Sequence, residues 1–277
     1  MADFHNSFDS FGFSSAGIVT DYAISLVSII CAGVAYSLRE KAQQKEDHEA
    51  PGGITVKLYM TFCLFTSASA MTFYYGGLGH MLIAGYANSN VALGKQWGSA
   101  NSQWMYAWVL AVFFMPVTAL ANLAIMLAAY DKGKLALAVA YALGLCIGAV
   151  EAVLMSSVSL LTTYSGAPSA ALFLLSGCIC IVMACIKAIR ERKEKGVGMW
   201  VVMVGNILIC LGWLVVGLAP AGCTKYSQAV RDCPYPNEFN QNAVFHIIII
   251  AAVVTQFFGV KAYANENEKR ESLYLCR

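Results

Sequence analysis

Five residues of this chain have the right chemistry to form one site: Asp21, His80, Glu151, Asn242 and His246. Imidazoles hold metal ions and carry protons near neutral pH. Carboxylates serve as ligands or general bases. All five sit in strongly apolar surroundings, where ionisable side chains are costly and usually functional. Asn242 and His246 are four apart, which puts them on one face of a helix. Glu151 in such surroundings demands a hydrogen-bonding partner. Each also has a plainer reading. Thr20-Asp21 is a plausible helix N-cap. His80 follows Tyr74-Tyr75-Gly76-Gly77-Leu78-Gly79, where the glycines would let helices approach closely, and His246 would suit a membrane interface.

The elements that must position these residues are seven apolar stretches, approximately 18–38, 56–83, 105–129, 135–161, 169–187, 199–218 and 242–263. A helix needs ~20 apolar residues to span the hydrocarbon core. Only internally bonded helices or closed barrels are tolerated there, and these continuous runs lack barrel alternation. Hydrophobic residues make up 58% of the chain and charged ones 12%, which excludes a soluble domain. The fold class is all-α, a polytopic membrane protein with seven transmembrane helices.

Of the eighteen Lys and Arg, fifteen fall on one side when loops are assigned alternately. They are Arg39, Lys41, Lys45, Lys57, Lys132, Lys134, Lys187, Arg190, Arg192, Lys193, Lys195, Lys261, Lys269, Arg270 and Arg277. Lys95, Lys225 and Arg231 fall on the other. The positive-inside rule then puts the N-terminus outside and the C-terminus in the cytoplasm. Residues 1–17 become an extracytoplasmic segment, 18–263 the transmembrane domain and 264–277 a cytoplasmic tail. With helices one, three, five and seven running inward, Asp21, His80, Glu151, Asn242 and His246 all fall in the outer half of the membrane. Shared depth makes one cluster a hypothesis, because depth says nothing about azimuth. The membrane is expected to be the plasma membrane or one of the secretory pathway.

Cys223 and Cys233 lie in the same outside loop, ten residues apart, and an oxidising compartment predicts a disulfide between them. The remaining cysteines read as small packing residues. The fourth helix carries Ala140, Gly144, Gly148 and Ala152 at intervals of four. Such a stripe fits close packing within the chain or against a second copy in a homo-oligomer. Nucleic-acid binding lacks a basic surface with interleaved aromatics.

The segments Gly76-Gly77-Leu78-Gly79-His80 and Asn242-Ala243-Val244-Phe245-His246, with Thr20-Asp21 opening helix one, resemble the seven-helix superfamily of alkaline ceramidases and adiponectin receptors. That resemblance implies a zinc ion held by three histidines and a bound water that attacks a lipid amide or ester. His80 and His246 match two of the metal-ligand positions, while Asn242 stands where the third histidine is expected. Asp21 or Glu151 would then be the further ligand or catalytic base.

Two function classes follow. One is a binding protein whose outward-facing polar cavity takes a lipid or small hydrophobic ligand without catalysis. The other is a zinc-dependent intramembrane hydrolase of lipid amides or esters. Helix seven has no lysine in its middle, which disfavours a retinal protein.

Overall fold

The computed structural model describes residues 15–49, 53–88, 103–132, 134–156, 167–191, 197–217 and 241–275. Seven helices account for nearly all of them: α1 (Ser15–Glu49), α2 (Ile54–Asn88), α3 (Gln103–Ala129), α4 (Lys134–Ser156), α5 (Ala167–Arg190), α6 (Val197–Gly217) and α7 (Gln241–Leu275). Each contains a segment long and apolar enough to cross a membrane. The chain is an all-helical, multi-pass integral membrane protein. The helices outrun the apolar stretches where polar turns keep the helical conformation. α7 in particular continues to Leu275, so most of the expected tail is helical.

Neighbour relations define a ring. α1 packs on α2, α2 on α3, α3 on α5, α5 on α6 and α6 on α7; α7 closes back onto both α1 and α2. α4 stands outside this ring and packs chiefly against α3. Large apolar side chains such as Leu26, Ile29, Leu135, Val153 and Phe258 point outward, as a lipid-facing surface requires. Inside, Ile24, Leu58, Phe62, Phe65, Met126, Met199, Val202 and Val253 form the shared core.

Lipid tails are as apolar as leucine, so close van der Waals approach and internal hydrogen bonds must hold such helices together. The small-residue stripe of α4 serves this purpose within the chain. A Cβ on Gly148 would come 2.2 Å from the Phe113 carbonyl oxygen, and one on Gly144 would come 3.0 Å from Val117 Cα. Several core hydroxyls are satisfied within their own helix, while Ser25 of α1 donates to the Ala70 carbonyl of α2 at 3.0 Å. Thr61, Thr66, Thr72 and Thr118 each donate to the carbonyl four residues earlier, which lets them sit inside the bundle at little cost.

The end of the bundle where α3, α5 and α7 finish is polar. Asp131 adopts φ 52°, left-handed, and closes α3: Lys132 N–H bonds to the Leu127 carbonyl and Asp131 N–H to that of Ala128. Lys57 reaches Asp131 at 2.7 Å. Lys187 pairs with Glu191 at 3.1 Å and lies over the rings of Tyr130 and Tyr263. Burial holds the Tyr130 hydroxyl above its ordinary pKa, and it donates to the Met183 carbonyl.

Gly148→Ala should destabilise the detergent-purified protein by ~1–3 kcal/mol, the usual cost of overpacking. Gly33 has open space where a Cβ would go, so Gly33→Ala should leave the unfolding temperature unchanged or raise it. Thermal unfolding of the two variants beside the wild type checks both outcomes.

Candidate functional site

At the opposite end, three helices bring a carboxylate between two imidazoles. Asp21 is on the second turn of α1, His80 in the last third of α2 and His246 one turn into α7. Asp21 is 2% exposed, His80 4% and His246 2%. Asp21 Oδ2 lies 2.9 Å from His80 Nδ1, and Asp21 Oδ1 lies 3.1 Å from His246 Nε2. The other ring nitrogen of His246, Nδ1, lies 2.9 Å from Thr20 Oγ1.

The glycines before His80 make this meeting feasible. A Cβ on Gly77 would come 3.0 Å from the Asp21 Cβ, and one on Gly76 would come 3.6 Å from Asp21 Oδ1. Gly76 and Gly77 are four and three residues before His80, so the smooth face and the imidazole share one side of α2. α1 can therefore lie against that side and deliver its carboxylate to the ring.

Aromatic rings wall the centre. Trp108 lies 5.0 Å from the His80 ring, with centroids as reference. Phe73 meets His246 edge-on at 5.6 Å, and Phe245 lies at 5.2 Å. Trp213 and Phe173 extend the wall from Phe245 across to α5. Low polarity around the centre strengthens its hydrogen bonds and makes any unpaired polar group costly.

The proton inventory limits what this arrangement does. An ionised carboxylate only accepts, so His80 donates from Nδ1 and His246 from Nε2. With His246 neutral, its Nδ1 accepts a hydrogen bond from the Thr20 hydroxyl. With His246 protonated, Nδ1 donates to Thr20 Oγ1, and the hydroxyl turns to the Ala16 carbonyl at 2.7 Å or that of Gly17 at 3.0 Å. Rotation of one hydroxyl thus lets the centre gain a proton without moving a heavy atom.

The other expected members lie elsewhere or play smaller parts. Thr20 and Asp21 do not cap α1: the helix already runs from Ser15, and Thr20 bonds to carbonyls rather than to free N–H groups. Glu151 is separate from the Asp21 centre. It accepts from Ser169 in the first turn of α5, where a carboxylate also meets the positive end of the helix dipole. Shared depth had grouped Glu151 with the histidines, but α4 lies outside the ring. Asn242 is half-buried one turn before His246. Cys223 and Cys233 lie outside the described residues, and the seven cysteines within them are free thiols.

For zinc, one carboxylate and two imidazoles are suitable donor types. Here they point at one another at hydrogen-bond distance, and both His246 nitrogens are committed. Among the described residues no group of three or more His, Cys, Asp or Glu side chains is arranged to hold a metal ion. The donors as placed do not fit the three-histidine set.

No family model, no curated protein and no solved structure matches this chain.

Asp21→Ala strips both imidazoles of their acceptor and leaves two buried donors unsatisfied, at ~1–3 kcal/mol each. Thr20→Val keeps the shape and removes one hydroxyl, at ~1–3 kcal/mol for an unsatisfied buried partner. Unfolding in detergent should rank wild type above Thr20→Val, and Thr20→Val above Asp21→Ala; the reverse order of the two variants would refute the carboxylate as the hub.

Proposed function

We propose that this protein binds a lipid or small hydrophobic ligand from within the membrane, without catalysis, with the ligand's polar group set against the Asp21–His80–His246 centre. The observation that carries this reading is the bridging carboxylate. A buried hydrogen-bonded cluster is replaceable by apolar groups of the same shape with little loss of stability, so its presence points to a role beyond holding helices together. The aromatic wall around it suits an apolar ligand body, and a few placed polar groups suit recognition of its head.

The distribution of Lys and Arg supports an outside N-terminus, which puts the centre in the outer leaflet of the plasma membrane or of a secretory-pathway membrane. The resemblance to the ceramidase and adiponectin-receptor superfamily rests on Gly76-Gly77-Leu78-Gly79-His80, Asn242-Ala243-Val244-Phe245-His246 and Thr20-Asp21 in the sequence. Its zinc-dependent hydrolase chemistry is the competing reading. The commitment of both His246 nitrogens to Asp21 and Thr20 favours the binding protein.

Metal analysis and native mass spectrometry of the purified protein test the choice, with wild type beside His80→Ala and His246→Ala. We expect a retained lipid or apolar small molecule in the wild type and at least ~10-fold weaker retention in each variant, about 1.4 kcal/mol. Near-stoichiometric zinc that both substitutions abolish would overturn this in favour of the hydrolase. A wild type that carries neither metal nor ligand, and takes up no lipid from mixed vesicles, would sink both.

A further inference from the structure

Among the described residues, α4 and α5 meet at one end of the bundle and part toward the other. Gly144 and Gly148 hold α4 against α3. It meets α5 where Ser169 donates to Glu151, toward the end that holds Asp21. Between the two helices α3 turns out one stripe: Pro116, Leu120, Leu123, Leu127 and Tyr130. Its burial falls along the way. Pro116 and Leu120 are buried, whereas Leu123, Leu127 and Tyr130 are half-buried. The walls are apolar and open, with Leu143 of α4 51% exposed and Ile179 and Ile186 of α5 40% and 41%. A wedge-shaped groove therefore lies over α3, closed toward Glu151 and open at the other end. Its open part, from Leu143 to Lys134, is ~14 Å of helix, about half of the ~30 Å hydrocarbon core.

The open end leads to a basic rim. Lys132 and Lys134 bracket the turn between α3 and α4, Arg190 ends α5, and all three are exposed. Tyr130 brings them together. Its hydroxyl donates to the Met183 carbonyl at 2.9 Å, which holds the end of α3 on α5. Arg190 lies within electrostatic reach of the same tyrosine. It is four residues beyond Ile186 and eleven beyond Ile179, so it shares their stripe. Basic residues near helix ends are common in membrane proteins. What singles these three out is that the acids beside them are already engaged, Asp131 with Lys57 and Glu191 with Lys187 and Tyr263. Lys132, Lys134 and Arg190 make no ion pair among the described residues.

We propose that this groove binds one anionic phospholipid, with an acyl chain laid along α3 and the phosphate held by Lys132, Lys134 and Arg190. Charge and shape select the same occupant. Three cations without internal partners complement a phosphate, and basic pockets between transmembrane helices hold anionic heads in this way. Arg190 offers a planar fork that meets two phosphate oxygens at once, while the lysines act as point charges. A zwitterionic head brings its own ammonium to the rim and forfeits the net attraction. A second copy of the chain fits less well, because the glycines of α4 are already used on α3 and two basic rims would repel. The site lies at the opposite end of the bundle from Asp21 and does not depend on what binds there.

The test uses the full chain in phosphatidylcholine nanodiscs with added phosphatidylglycerol. Phosphatidylglycerol with a photoreactive acyl chain should label peptides that contain Leu127 or Ile186. Excess unlabelled phosphatidylglycerol should compete, and phosphatidylcholine should not. Native mass spectrometry should show phosphatidylglycerol retained at least ~10-fold over phosphatidylcholine. Lys134→Gln combined with Arg190→Gln should abolish that preference, while Lys41→Gln, on α1 away from the groove, should keep it. Labelling spread evenly over the lipid-facing helices, or equal competition by the two lipids, overturns the proposal. A preference unchanged in the double variant overturns it too. Cross-links between copies that run through Leu143 would assign the groove to a second chain instead. Labelling of the wild type decides the matter even where the double variant does not fold.

Discussion

A single carboxylate shared between two imidazoles constrains how this bundle closes. Asp21 cannot stay ionised in low dielectric without donors, and the two it has come from helices far apart in sequence. His80 is 59 residues away and lies on α2. His246 lies on α7, and its Nδ1 returns to α1 through Thr20, 226 residues away. To satisfy one residue of α1, α2 and α7 must both come within hydrogen-bond reach of it. This joins the first and last helices and closes the ring. The smooth Gly76-Gly77 face follows from the same demand, since any side chain at Gly77 would hold α1 off.

Elsewhere the bundle manages polarity in two other ways. Thr61 and Thr66 fold their hydroxyls back onto their own helix, while Thr72 and Thr118 do so and also meet each other between α2 and α3 at 3.1 Å. Amides at the bilayer centre instead link α3, α6 and α7 with bonds that no lipid can replace: Asn122 donates to Asn206 at 2.7 Å and accepts from Gln256 at 3.0 Å. The polar interior thus has two levels, an ionisable one near the end of the bundle and a neutral one at its middle. This ordering follows the cost of polar groups with depth, since charge becomes more expensive toward the centre and amides remain affordable if paired. Glu151 follows it too: the carboxylate on peripheral α4 lies close to the end of its span and reaches the start of α5.

The seven helices were legible because hydropathy reports directly on what lipid excludes. Their ends were less so. α1 and α7 continue through charged turns that hydropathy scores as loop, because helical hydrogen bonds do not stop where apolar residues do. Within the site, helix direction and residue number gave depth, and depth correctly grouped Asp21, His80 and His246. Depth could not give azimuth, which is why Glu151 was grouped with them. The stripe on α4 was visible, but the choice between an internal and an external partner depended on where α3 runs. Trp108 and Phe73 were indistinguishable from any core aromatic. Gln256 gave no signal beyond a lone amide in an apolar run, and its role appears only once Asn122 and Asn206 are beside it.

The closed hydrogen bonding of the centre limits how a ligand engages it. Both carboxylate oxygens and both His246 nitrogens already have partners, so a ligand head gains a bond there only by displacing one or by adding to a spare lone pair of Asp21. Exchange of one buried hydrogen bond for another is nearly neutral, whereas a head that displaces a bond without replacing it leaves an orphan and is rejected. On the proposed reading, the centre therefore contributes selectivity more than affinity. Affinity must come from the apolar body of the ligand against Phe73, Trp108, Trp213 and Phe245. Because lipid tails offer that body an equally apolar alternative, shape and aromatic contact have to supply the difference. The ligand class that meets both demands has one compact polar head able to donate and accept, on a body rigid or flat enough to prefer rings over acyl chains.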